Sequence, residues 1–401
     1  MISISEALTL VRNHIPPRKT ETIEITNAVG RYLADDIAAR EPSPRYTNSA
    51  MDGFAVRWAD VQTATPENPV ELSIIAESQV GIPFQGELQP GEAIRINTGA
   101  MLCAGADTVV PVEDVQISKA KVIITKVKKK GAHVRQIGEE FQTGDTLLQQ
   151  GICLQPFHIA LLASQGISTI PVYSLPKVAI IITGTELKPY ASEEIEPWQI
   201  RDSNGIMLKT AVERWGGKVI SLQHVGDDLS LTTETLQRVT GKADIIIFSG
   251  GVSVGEHDFV KSAATQSGFK TVFWKVNQKP GKPLFVARHE QSLLFGLPGN
   301  PVSAYMCFTL YIQPVLKYLS GGDLSPTTLS VECGEDISNK IDRANMLRVK
   351  IISRNHERPL ISVLPKQGSH MLTSLTSADG FLILEPRQTL EKGSIVSMYP
   401  F

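Results

Sequence analysis

Lys177-Val178-Ala179-Ile180-Ile181-Ile182-Thr183-Gly184 is the stretch that decides the fold. Its five apolar residues fit a buried strand, and the next seventy or so residues set the rhythm: a helical pattern over 203–215, an apolar run at 219–225, a second helical pattern over 229–239, and another run at 244–248. Strand alternating with helix in this way predicts a parallel sheet covered by helices. Runs at 271–276, 284–287 and 292–295 extend that sheet, and a long helix should begin near Pro301.

Outward from this centre the pattern changes on both sides. Toward the C-terminus, Gly321-Gly322 marks a boundary, and short runs at 347–352, 360–364 and 381–384 predict a small β-barrel-like domain. Toward the N-terminus, residues 3–15 read as a helix with a capping box of Ser3 and Glu6 and an apolar face of Ala7, Leu8 and Val11, stopped by Pro16-Pro17. A second helical pattern covers 156–165. Between them, Gly, Pro and short β-branched runs indicate a β-rich insertion. The expected organisation is therefore multidomain α/β and β. A helical frame spans 1–40 and 146–176, a β-rich inserted domain 41–145, a doubly wound, parallel-type α/β domain 177–321, and a C-terminal β domain 322–401.

Composition narrows the function classes. With 401 residues the chain exceeds the size of one hydrophobic core, so about two to four domains are expected. A formal charge of −2 gives no global field for gripping nucleic acid or an anionic membrane, so anionic ligands must be held by local clusters. No apolar run approaches the roughly 20 residues that cross a bilayer. The N-terminus shows no export signal, and Cys103, Cys153, Cys307 and Cys333 lack the spacing of a zinc cage or disulfide framework. These features lead to an expectation of a reducing cytosol and a small-molecule partner.

The chemistry concentrates at strand ends. Ser249-Gly250-Gly251-Val252-Ser253-Val254-Gly255 comes directly after the run at 244–248, which places it at the carboxyl edge where open α/β sheets bind ligands. Its glycines let backbone N–H groups approach an anion, and a helix from Asp258 would add its positive end. An ordinary Gly-rich turn explains the same letters without a ligand. Neither GxGxxG nor a Walker A lysine is present, which disfavours a nicotinamide dehydrogenase or a P-loop ATPase.

In Lys275-Val276-Asn277-Gln278-Lys279-Pro280-Gly281-Lys282-Pro283, Pro280-Gly281 suits the centre of a type II turn, which brings Lys279 and Lys282 within about 7 Å between Cα atoms. Lysines flanking a turn are commonly just solvated; this pair precedes a buried run, and an oxyanion or phosphate between them would relieve their repulsion. Leu297-Pro298-Gly299-Asn300-Pro301 supplies an N-cap Asn and a Pro at the first helical position, sufficient to start the helix, while Pro298-Gly299 opens a loop at an anion seat.

Carboxylates Asp52, Glu186, Asp202, Asp227, Asp228 and Asp258 lie at loop ends, where hard oxygen ligands suit Mg²⁺ bridging to phosphate. Taken singly, Asp52-Gly53 is a turn pair and Asp202, Asp228 and Asp258 occupy N-cap positions. The eight histidines show no metal-ligand spacing, and no serine or cysteine nucleophile motif is present.

Several of these segments occur together in one family. The matching segments are Asn48-Ser49-Ala50-Met51-Asp52-Gly53-Phe54-Ala55, Thr98-Gly99-Ala100, Gly138-Glu139-Glu140, Thr183-Gly184-Thr185-Glu186-Leu187, and the stretches 249–258, 279–283 and 296–303. On them the chain resembles, along its whole length and in domain order, the family of MoeA and the gephyrin E domain, the molybdopterin molybdenumtransferases. The resemblance implies a homodimer that inserts molybdenum from molybdate into adenylylated molybdopterin with release of AMP, with Mg²⁺ as cofactor and the pathway's adenylyltransferase as a further partner. It implies catalytic roles for Asp52, Thr98 and Glu186, and metal ligation by Glu186, Asp227 and Asp258. Substrate binding would fall to Asp202, Ser249, Gly250, Gly251, Ser253, Gly255, Asp258, Lys275, Lys279, Lys282, Pro298, Gly299, Asn300 and Pro301, and molybdate binding to Arg348 and Ser369. The chain departs from the family's usual pattern at Glu140, where Asp is usual, at Phe54, often Tyr, and at Thr185, often Asp. Two alternatives are an adenylyltransferase of the same pathway, which shares the α/β domain, and a non-catalytic scaffold.

Overall fold

The computed structural model describes residues 1–252, 259–355 and 357–401. Ser253, Gly255 and Asp258, three of the expected site residues, lie outside them. The chain divides into two units, one of residues 1–34, 151–155 and 169–401, the other of residues 35–150 and 156–168.

In the first unit, α1 (Ile4–Asn13) starts with the expected capping box. The Ser3 hydroxyl accepts the Glu6 N–H at 3.2 Å, and the Glu6 carboxylate accepts the Ser3 N–H at 2.7 Å. The apolar run that decides the fold is β1 (Lys177–Thr183). It is followed by α2 (Asn204–Arg214), β2 (Lys218–Val225), α3 (Leu229–Val239), β3 (Ile245–Ser249), α4 (Val260–Gln266), β4 (Lys270–Trp274), β5 (Phe285–His289), β6 (Ser292–Leu297) and α5 (Pro301–Cys307). The helical path continues from α5 through Phe308–Ile312 to Gln313–Leu319.

The sheet order is β2-β1-β3-β6-β5-β4. Val178, Ile180 and Ile182 pack into a core with α1, α2 and the helical path after Pro301, while Ala179 and Ile181 pack on the opposite face with α3 and α4. Burial of both faces is why the strand reads as a continuous apolar run rather than an alternating one. The sheet is not wholly parallel as expected: β5 runs antiparallel to both its neighbours. Only Glu290 and Gln291 join β5 to β6, with Glu290 at φ 45°. A parallel connection needs a crossover of about a dozen residues, so a two-residue link imposes a hairpin.

The C-terminal strands Leu329–Cys333, Ala344–Ser353, Leu360–Val363, Gly380–Leu384 and Ile395–Pro400 form a closed five-strand barrel, the ring completed where Ala344–Ser353 pairs with Gly380–Leu384. A two-residue strand, Gln278–Lys279, adds to Ala344–Ser353 in parallel, Gln278 opposite Ala344 and Lys279 opposite Asn345. Ala344, Met346 and Phe381 share one core with Ile4, Val276 and Tyr311, so barrel and α/β sheet are packed together.

The second unit carries a six-stranded sheet in the order Thr108–Pro111, Gly53–Val56, Glu92–Ile96, Val70–Ser78, Lys121–Ile124, Val115–Ser118, and the helix Pro156–Ser164 belongs to it. Phe54 is buried in this unit's core. Among the described residues no helix is long and apolar enough to cross a membrane.

Candidate functional site

Three parallel strands, β1, β3 and β6, end side by side at Thr183, Ser249 and Leu297. The loops leaving them, with Asp227 after β2 and the segment before α2, enclose a cleft of about 500 Å³. Its lining includes Thr183, Gly184, Glu186, Arg201, Asp202, Asn204, Asp227, Ser249, Gly250, Gly251, Gly299, Asn300 and Pro301. The carboxyl edge of the sheet is thus where the glycines, the carboxylates and the Pro-Gly-Asn-Pro loop meet.

Gly250 has φ +95°, and a Cβ there would stand 2.7 Å from the Thr183 carbonyl oxygen, so only glycine fits this turn. Its N–H donates to the Leu297 carbonyl at 3.1 Å and is therefore engaged within the fold instead of facing an anion. Asn204 binds the neighbouring loops together, its Nδ2 donating to Ser249 Oγ at 2.8 Å and to the Gly299 carbonyl at 2.7 Å, while its buried Oδ1 has no partner among the described residues.

The carboxylates differ in how they are held. Asp202 is only 3% exposed; its Oδ1 accepts the Gly205 N–H at 2.8 Å and its Oδ2 lies 2.6 Å from His224 Nε2. Both oxygens are engaged, although the N-cap of α2 is Ser203 and not Asp202 as the sequence suggested. Asp228 caps α3 through the Leu231 N–H at 2.8 Å. Asp227, by contrast, offers Oδ2 to a single residue: Thr185 donates both its N–H at 3.1 Å and its hydroxyl at 2.7 Å. Asp227 Oδ1 has no partner among the described residues. Glu186 folds back over Gly184, both of its oxygens 2.8 Å from where a Cβ on that glycine would stand.

Asn300 occupies the N-cap of α5 with Pro301 following, but its side chain makes no cap hydrogen bond. It donates instead to Ser369 Oγ at 3.1 Å, while Val302 N–H donates to the Ser369 carbonyl at 3.2 Å. Ser369, expected from the C-terminal region, is thereby brought to the rim of the cleft. Arg348 is not. It is fully buried, its guanidinium donating to the Lys366 and Gly368 carbonyls at 3.3 Å each, with Nε unpartnered and no carboxylate against it among the described residues; burial lowers its pKa.

None of Lys275, Lys279 and Lys282 lines the cleft among the described residues. Lys275, at φ 71°, lays its ammonium 4.0 Å from the centre of the Trp274 ring, which Lys261 approaches at 4.3 Å; the indole N–H donates to the Val252 carbonyl at 3.2 Å. The Lys279–Pro280 peptide is cis, with Gly281 at φ +86°. Gln278 braces this turn through the Gly281 carbonyl and the Tyr311 hydroxyl. The cation in the lining is Arg201, tied to the Ser192 and Glu193 carbonyls. The expected ring of positive seats is therefore not assembled around this cleft by the described residues.

In the second unit, Thr98 donates its N–H at 2.6 Å and its hydroxyl at 3.0 Å to Asp52 Oδ1. Those two bonds, the backbone one foremost, hold the Asp52 carboxyl below the usual carboxylate range. No group of three or more His, Cys, Asp or Glu able to hold a metal is assembled among the described residues.

Sequence reasoning did not single out Asn204, Arg201, His224 or the Thr185 hydroxyl as a donor. An Asn beginning a helix is indistinguishable in sequence from an ordinary cap, and His224 sits mid-pattern in a strand; only the fold reveals what each faces.

Comparison with known proteins adds to this geometry. Residues 2–166 match the family described as MoeA N-terminal region (domain I and II), residues 179–318 the probable molybdopterin binding domain, and residues 330–401 the MoeA C-terminal region (domain IV). The molybdopterin molybdenumtransferase of Haemophilus influenzae is 32% identical over 100% of this chain and 99% of its own length, and that of Bacillus subtilis is 34% identical over 96% and 90%. The crystal structure of the molybdopterin biosynthesis MoeA protein of Pyrococcus horikoshii superposes with a TM-score of 0.87 at 30% identity, covering 100% of this chain and 99% of that one.

Proposed function

This chain belongs to the MoeA family of molybdopterin molybdenumtransferases, and on that premise we propose that its cleft takes adenylylated molybdopterin and molybdate, inserting molybdenum with release of AMP. The observation that carries the reading is the convergence of Glu186, Asp227, the Gly250 turn and the Gly299–Pro301 loop at one carboxyl edge of the sheet. Open α/β sheets bind their ligands at that edge.

Asn204 fixes the Ser249 and Gly299 loops to each other, which sets the width of the substrate's seat. Its unpartnered Oδ1 is an acceptor for a pterin N–H. Ser369, held by Asn300, stands at the rim as an oxyanion donor. The hard oxygens of Glu186 and Asp227 fit Mg²⁺, Asp227 with Oδ2 held by Thr185 and Oδ1 left to the cleft. Bound there, the ion would neutralise charge at the phosphoanhydride. In the second unit, considered by itself, Asp52 keeps a carboxyl lowered in pKa by Thr98 and is the carboxylate to which the family resemblance gives a catalytic role. The working form in this reading is a cytoplasmic homodimer, supplied with substrate by the pathway's adenylyltransferase. Its four free cysteines suit a reducing compartment.

The test is incubation with adenylylated molybdopterin, molybdate and Mg²⁺, following AMP and metallated cofactor. Asp227→Ala should slow AMP release by about a hundredfold or more with the fold intact, as expected for a lost metal or transition-state contact. Undiminished release in that variant, or consumption of ATP with bare molybdopterin by the wild-type protein, would count against this assignment.

A further inference from the structure

A second pocket, of about 410 Å³, lies at the other end of the same sheet. Its charged lining comes from Lys177 and Lys218, which begin β1 and β2, from Asp244 just before β3, and from Lys19, Glu21 and Arg31. A seven-residue strand separates this edge from the cleft, a distance of about 20 Å, so the two pockets are independent.

Lys177 and Lys218 are direct register partners on adjacent strands, which places their backbones about 4.8 Å apart. Both are exposed, and neither has an ion-pair partner among the described residues. The acids nearby are already engaged. Asp244 gives Oδ1 to Lys19 at 2.6 Å and Oδ2 to the Lys177 N–H at 2.7 Å, and Glu21 takes Arg31 Nη2 at 2.6 Å. Arg31 also donates to the Tyr173 carbonyl, yet its Nε is buried with no acceptor among the described residues. A buried N–H without an acceptor is costly, and two ammonium groups side by side repel. Four cationic side chains against two anionic ones thus make a locally positive pocket on a chain whose formal charge is −2.

We propose that this pocket binds a diphosphate, either inorganic or at the end of a nucleotide. Two adjacent ammonium groups and a guanidinium N–H suit charge spread over more than one phosphorus centre. The Thr20 and Ser174 residues supply hydroxyls, and Pro17, Leu175, Pro176 and Leu319 give the remaining wall an apolar surface on which an organic body can rest.

Calorimetric titration of the full chain with pyrophosphate, and separately with ADP, tests this. Lys177→Gln combined with Lys218→Gln should weaken at least one of the two ligands by about a hundredfold, the loss expected for two charge-assisted contacts. The same change at the exposed pair Lys128 and Lys129 should leave both within about twofold. Whichever ligand binds tighter to the wild-type protein names the source. Ligand bound at the catalytic cleft would survive the Lys177 and Lys218 changes. An isotherm those changes leave intact, or one that the Lys128 and Lys129 control weakens equally, overturns the proposal. Turnover by the double variant should match the wild-type rate, which keeps this test separate from that of the main reaction.

Discussion

The α/β cleft and the acidic turn of the inserted unit hold a carboxylate by the same device built on different sheets. Asp227 receives the N–H and hydroxyl of Thr185; Asp52 receives the N–H and hydroxyl of Thr98. In the cleft, β1 and β2 run parallel, so threonine and aspartate both leave the sheet from strand ends. In the insertion, Gly53–Val56 and Glu92–Ile96 are antiparallel with Gly53 opposite Ile96, so Asp52 precedes one strand and Thr98 comes after the other. Two ladder geometries thus reach one clamp, and in both it is strand register, not local sequence, that brings the partners together. The regions differ in what lies beneath. The cleft has a deeper carboxylate, Asp202, with both oxygens engaged, whereas Asp52 stands in solvent.

Separating these roles is the purpose of three substitutions. Asp202→Ala should have the largest effect on stability, about 2–3 kcal/mol, because it strips the acceptor from the buried Gly205 N–H and from His224. A melting temperature within a degree of wild type would erase the distinction between supporting and working carboxylates. Thr185→Val should leave melting nearly unchanged and slow AMP release by about tenfold, since Asp227 keeps the amide but loses the hydroxyl; an unaltered rate would mean the clamp does not position Asp227. Thr98→Val should have the smallest effect, raising the Asp52 pKa partway toward its ordinary value, readable by carboxyl NMR titration. The lowered folded-state pKa means that the Thr98 bonds favour the folded state above the unfolded-state pKa of Asp52, and that this benefit is lost as pH falls through the folded one. Because the backbone bond is the main cause, most of the lowering should persist, and a complete return to the ordinary value would refute that ranking.

Local signals carried well into the fold. Ser3 with Glu6, Asp228 before α3 and the apolar runs of β1 and β3 act through neighbours a few residues away, and each formed as read. The reversal of β5 was also written locally, in the short gap between 287 and 292, but continued strand propensity masked it. The site was less legible. Glycine at 250 and the carboxylates at strand ends mark the cleft's edge, yet which amide is engaged and what Asn300 faces depend on elements far away in sequence. Asn300 is the clearest instance. Its letter says cap, while Ser369 takes the bond. Likewise Arg348 shows a charge and a strand pattern in sequence, but its burial beneath the 366–368 segment is a property of the closed barrel.

The pairing of Gln278–Lys279 with Ala344–Ser353 has a consequence for anyone dissecting the chain. That ladder, with Met346 and Phe381 sunk among residues of the α/β core, makes the last eighty or so residues a wall of the sheet domain and not an appendage. Cutting at the inviting Gly321-Gly322 junction would bare apolar side chains and an unpaired strand edge together, the combination that drives a fragment to self-associate.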